Sequence, residues 1–188
     1  MPTILPSGPS HPARLLPAIV AALLGLSAAG AGASPPPSAD GWAAFEATWS
    51  AAGQRRSLRA GDREAATTYL SGAFTVLRGE GLRKGFRGEA VGYSDGAGFG
   101  AGTLVLTDDR GDQVFCDLRE QASPGGTLFV ATIRGGTGAH NRIEGQFSFR
   151  WRHLVSTPDG DVQGMTVGLA GRYRKLSAAD APPAEAPR

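Results

Sequence analysis

The sequence predicts an all-β domain, an eight-stranded antiparallel up-and-down barrel of the calycin-like kind. Three observations predict it. Apolar residues recur with a period of two rather than 3.6, turn signals separate the periodic runs, and glycine is spread through a central region almost free of proline. Between residues 39 and 181 stand 24 of the 28 glycines but only two prolines, Pro124 and Pro158. A collagen-like chain or a linker would show a strict repeat or a low-complexity bias instead.

The first run, residues 45–51, places Phe45, Ala47, Trp49 and Ala51 on one side and Glu46, Thr48 and Ser50 on the other. That is the pattern of a half-buried strand. A helix joining Trp42, Phe45 and Trp49 is the alternative for this segment. Runs at 67–77, 84–94, 99–107, 112–121 and 127–134 follow. The seventh, residues 143–155, sets Phe147, Phe149, Trp151 and Val155 against Glu144, Gln146, Arg150 and Arg152. An eighth covers 161–174, where Gly164, Gly168 and Gly171 suit tight curvature or close backbone approach.

Between the runs lie turn residues: Arg78-Gly79-Glu80-Gly81, Asp95-Gly96-Ala97-Gly98, Asp108-Asp109-Arg110-Gly111, Ser123-Pro124-Gly125-Gly126, Gly135-Gly136-Thr137-Gly138 and Pro158-Asp159-Gly160. Asp starts turns, Pro fixes φ and Gly supplies positive φ. Sequential strands joined by short hairpins make a barrel, with a sandwich as the second arrangement. A membrane barrel needs an apolar outer band and aromatic girdles. With 14 aromatic residues in the chain and Arg, Glu and Gln on the polar faces, a soluble barrel, not membrane-embedded, is expected.

The ends divide from this domain by composition. Residues 1–33 read as a secretory signal peptide: a start carrying Arg14, an uncharged apolar core at 15–26, and small residues ending in Ala31-Gly32-Ala33. Cleavage is expected after Ala33, which makes the product secreted or periplasmic. Residues 34–40 form a proline-rich linker, 41–176 the barrel, and 177–188 an Ala-, Pro- and Glu-rich disordered tail.

Formal net charge is +2, so a pI of about 9.0 overstates how basic the surface is. Arg55, Arg56, Arg59 and Arg63 make a basic patch, and Asp108, Asp109 and Asp112 an acidic one. Nucleic acid is not an expected partner, because no aromatic residues interleave with the arginines. Cys116 stands alone, so no internal disulfide forms and it reads as a small buried hydrophobe. With only His140 and His153 beyond the leader, no zinc ligand set assembles, and no metal site is assigned.

Few motifs carry chemistry. Arg110-Gly111-Asp112 is a good hairpin turn before it is an adhesion signal, and its acidic neighbours do not match a calcium loop. The glycine clusters at 98–102 and 135–138 precede no helix, so they do not read as phosphate cradles. Candidate functional residues are charged groups inside strands. Arg87 and Glu89 share a face with Tyr93, and Asp117 and Arg119 share one with Phe115. Pointing inward, Glu89 or Asp117 would serve as acid or base, with Arg87, Tyr93, Phe115 and Arg119 binding a ligand. Pointing outward, these faces are simply solvated, with Phe86, Ala90, Val114, Cys116 and Leu118 inside.

The segment Gly135 to Phe149, GGTGAHNRIEGQFSF, resembles the turn that joins two strands in the allene oxide cyclase and dirigent superfamily of eight-stranded barrels. The stretches GEGLRKGFRGEAVGYSDG and TDDRGDQVFCDL are similar to small exported bacterial proteins of that superfamily with no assigned activity. His140 stands where related chains often carry an aromatic ring. The resemblance covers roughly residues 45–174 and implies an apolar cavity and no metal or organic cofactor. It carries no catalytic residue across to this chain.

Three functional readings follow. A carrier of a small apolar or amphipathic molecule needs an apolar hollow with one or two polar anchors. A cofactor-free cyclase- or isomerase-like enzyme needs an inward carboxylate with a shifted pKa. A filled structural barrel, presenting loops to a partner or forming a homo-oligomer, needs an exposed apolar patch.

Overall fold

The computed structural model describes residues 41–79, 81–95 and 100–177, all within one compact unit. The expected leader, the linker, almost all of the tail and the centre of the 95–98 turn lie outside the described residues.

Eight strands follow one another: β1 (Ala43–Ala60), β2 (Arg63–Arg78), β3 (Gly85–Ser94), β4 (Gly100–Asp108), β5 (Gln113–Ser123), β6 (Gly126–Gly136), β7 (Ile143–Ser156) and β8 (Asp161–Lys175). Each pairs antiparallel with its neighbours in sequence, and β8 returns to β1, so the sheet is a closed up-and-down barrel. The predicted fold class holds. The segment at Phe45 and Trp49 is strand rather than helix, because its alternate residues supply one wall of the interior.

Register defines the barrel's stagger. Starting at Arg55 and stepping across paired residues leads through Thr68, Gly92, Gly102, Leu118, Ala131, Phe147 and Gly171, and closes on Phe45, ten residues back along β1. Such a shear tilts the strands and gives an interior wide enough for packed side chains or for one small ligand. The β1–β2 hairpin runs past the rim. Its pairing continues to Ala60 and Arg63, whereas β1–β8 pairing ends at Gln54 and β2–β3 pairing begins at Ala66.

Alternation puts Phe45, Ala47, Trp49, Phe74, Val76, Phe86, Leu104, Leu106, Val114, Cys116, Ile133, Phe147 and Leu169 inside. Glu46, Gln54, Arg56, Arg87 and Gln146 stand outside. The outer faces mix these charged and polar side chains with exposed apolar ones such as Val91 and Phe115, rather than forming the continuous apolar band of a wall that meets lipid. No helix among the described residues is long and apolar enough to cross a membrane.

The glycines of β8 act as foreseen. A Cβ at Gly164 would press on the Trp151 ring and one at Gly171 on Phe147, while Gly168 takes φ +65°. That positive φ falls where the β7–β8 register shifts, between the pairs Ser148–Ala170 and Arg150–Val167. The β1–β8 register shifts at the same stretch of β8, and there the Trp49 backbone N–H donates to the buried Thr166 Oγ1 at 2.8 Å.

Candidate functional site

The two ends of the barrel differ. One is sealed around Asp108, the last residue of β4 on its inward face. Its Oδ1 accepts the backbone N–H groups of Arg110 at 2.9 Å and Asp112 at 3.0 Å. Its Oδ2 meets Arg83 Nε at 2.8 Å and His140 Nε2 at 3.1 Å. Burial pushes this carboxyl up, but the Arg110 amide, His140, the Asp112 amide and Arg83 outweigh it and hold the pKa below the ordinary value. An ionised carboxylate only accepts, so His140 Nε2 carries the proton in that bond. The His140 ring also packs on Phe86, with centroids 5.4 Å apart.

The Gly-Thr-Gly turn delivers His140 to this position. Thr137 accepts the Gln113 N–H on its Oγ1 at 2.9 Å and donates its own N–H to the Gln113 carbonyl at 2.8 Å. Asp112 Oδ2 accepts the Ala139 N–H at 2.8 Å. Gly138, at φ +51°, leaves the room that the Asp112 carboxylate occupies. The turn and the Asp108–Asp112 hairpin thus clamp each other. The acidic patch and the tripeptide within it are part of this seal.

The other end is open. A cavity of about 660 Å³ enters there, between the end of β3, the start of β4, the β5–β6 turn, the end of β7 and the start of β8. Trp49, Phe129, Phe149 and Trp151 make a continuous aromatic surface within it. Phe129 stacks on Phe149 at 5.4 Å, Phe149 meets Trp49 edge-on at 6.4 Å, and Trp49 lies 5.4 Å from Trp151. Trp49 is nearly fully buried and turns its indole N–H against Gly88, where it meets no acceptor among the described residues. The opposite wall carries small residues: Ala90, Gly92, Ser94, Gly100 and Gly102. Large rings facing small side chains leave the space. Deeper down, Phe74, Leu104 and Phe147 fill the bore and close its floor.

Polar groups gather at the mouth. Arg55 points inward from β1 and pairs with Glu64 at 3.0 Å; Glu64 also meets Arg59 at 3.4 Å. These hydrogen bonds, to Arg55 first, lower the Glu64 pKa. Glu120 points inward from β5 across Gly100, in the space a side chain there would take. Among the described residues it accepts no hydrogen bond. Burial, and then the charge of Asp95, raise its pKa, with Arg55 opposing.

The sequence candidates fall differently. Arg87, Glu89, Tyr93, Phe115, Asp117 and Arg119 all stand on the outer faces of β3 and β5. Glu89 Oε1 accepts from Tyr69 Oη at 2.9 Å and from Arg87 at 2.8 Å, and Asp117 pairs with Arg134 at 2.7 Å. Of the six, Tyr93 and Arg119 reach the rim of the cavity. The solvated-face reading describes these strands. Glu120 and Arg55 went unselected, although the alternation points to both. Val114, Cys116 and Leu118 continue inward to Glu120, and Phe45 to Ala51 continue through Gly53 to Arg55.

Cys116 is buried, and burial, with a further contribution from Asp117, pushes its thiol up to about 12. It packs as a small hydrophobe. Among the described residues no three His, Cys, Asp or Glu side chains converge to hold a metal ion. Comparison with protein-family models, curated proteins and solved structures gives no match.

Proposed function

We propose that this chain is an exported binding protein that holds one small amphipathic molecule in the open half of its barrel. The observation that carries the reading is the hollow itself: about 660 Å³ with aromatic rings on one wall, small residues on the other and a few charges at the mouth. A site with an apolar body and convergent polar groups at one end matches a guest with an apolar body and one polar head. The leader-like residues 1–33 support export, and the Gly-Thr-Gly turn in an eight-stranded barrel supports kinship with the allene oxide cyclase and dirigent superfamily.

Glu120 favours a second reading, a cofactor-free isomerase or cyclase. An inward carboxylate with a raised pKa, beside an apolar cavity, suits proton transfer. A purely structural, filled barrel accords less well with the open half.

Native mass spectrometry of the full-length gene product, recovered from an exporting host, tests the primary reading. The expected result is a chain beginning at Ser34 with a co-purifying small molecule that leaves on mild activation. An intact leader would overturn export. A clean apo mass that no octyl-chain probe shifts would overturn binding.

A further inference from the structure

We propose that the guest of the cavity is an organic cation, an amine or quaternary ammonium on an apolar body, with its charged head against Glu120. This rests on the reading of the cavity as a ligand site, and adds the chemical class.

Glu120 lies directly across the sheet from Phe129 on one side, and its side chain crosses Gly100 on the other. It is partly withdrawn from water and accepts no hydrogen bond among the described residues. A carboxylate in that position, with only the charge of Arg55 to oppose its partial burial, gains from a cation brought into contact with it. Two of the cationic side chains of the mouth have other duties. Arg55 is paired with Glu64, and Arg150 donates to Ser123 Oγ and the Pro124 carbonyl at 3.3 and 3.2 Å. Arg119 springs from the outer face beside Glu120. An anionic head at Arg55 would therefore compete with Glu64 and meet the like charge of Glu120. A cationic head satisfies Glu120.

The body of the guest meets the aromatic surface of Phe129, Phe149, Trp49 and Trp151. Ring faces are negative and attract methylated or protonated nitrogen as well as burying hydrocarbon. Thus the aromatic wall tolerates a cation held at Glu120, whereas Arg119, the rim arginine for which no ion pair is seen among the described residues, springs from the outer face of β5.

Three probes of equal chain length separate the possibilities: octyltrimethylammonium, octanol and octanoate. Trp49 and Trp151 line the cavity, so intrinsic fluorescence reads occupancy, while Trp42 sits outside beneath Arg172 and Arg174. At neutral pH the ammonium probe is expected to bind at least about tenfold more tightly than the other two. Glu120→Gln brings it to within about twofold of octanol. On the unaltered protein, acidification removes the same preference as Glu120 takes up its proton, in a surround made by Asp95, Arg55, Arg119, Arg150 and His153. Equal binding of all three, tighter octanoate, or a preference that survives both Glu120→Gln and acid overturns the cation assignment while the cavity reading stands. Failure of all three to bind overturns both.

Discussion

Asp108 holds the sealed end through four hydrogen bonds or ion pairs to Arg110, Asp112, Arg83 and His140. Its depressed pKa means that its stabilisation is fully present above the ordinary aspartate value of about 3.9 and is lost as pH falls through the lower folded value. Asp108→Ala leaves a buried histidine and two amides without their acceptor, and is expected to cost roughly 3–5 kcal/mol at neutral pH. Urea unfolding at pH 7 and again near pH 3 checks this; the difference between the two proteins should shrink in acid. In the sequence Asp108 reads as a turn residue, since aspartate is common there and its partners lie 25 and 32 positions away at Arg83 and His140. Cys116 was legible, because small apolar residues between apolar neighbours have one ordinary fate. Glu89 and Asp117 were ambiguous, because both faces of β3 and β5 carry apolar side chains: Val91, Tyr93 and Phe115 are exposed.

At the scale of strands, the hollow follows from which elements carry bulk. β3 and β4 present Ala90, Gly92, Ser94, Gly100 and Gly102 to the upper interior, and β6 and β7 present Phe129, Phe149 and Trp151. A Cβ at Gly92 would meet only the Ala101 carbonyl oxygen, at 3.6 Å, so this position has room. Gly92→Leu should fill the space, leave stability unchanged or raise it by up to about 1 kcal/mol, and weaken octyl-chain probes at least about tenfold. Thermal melts and fluorescence titration read the two effects; retained binding would place the guest elsewhere. Strand positions were legible because each run buries alternate residues. The exception is instructive. β1 was expected to end near Ala51 but extends to Ala60, where Arg56, Ser57, Leu58 and Arg59 are exposed. That overhang pairs only with β2 and buries little, so no apolar alternation marks it.

For the whole molecule, closure was readable from the number and order of strands, since consecutive antiparallel hairpins leave β1 and β8 free to meet. Whether the interior is empty was not readable. It depends on the stagger of ten residues, which decides that Gly92 and Gly102 share a level with Leu118 rather than with Phe74. The same geometry turns the sealed floor into a ruler. A guest that enters from the mouth descends past Trp49 and Phe149 only as far as Phe74, Leu104 and Phe147, so depth becomes a measure of length. In a homologous series of alkyltrimethylammonium ions, each added methylene should tighten binding by about 0.8 kcal/mol or somewhat less while it displaces water. Beyond the chain that reaches the floor, isothermal titration should show the increments stop, because further carbons have nowhere to go but back into solvent.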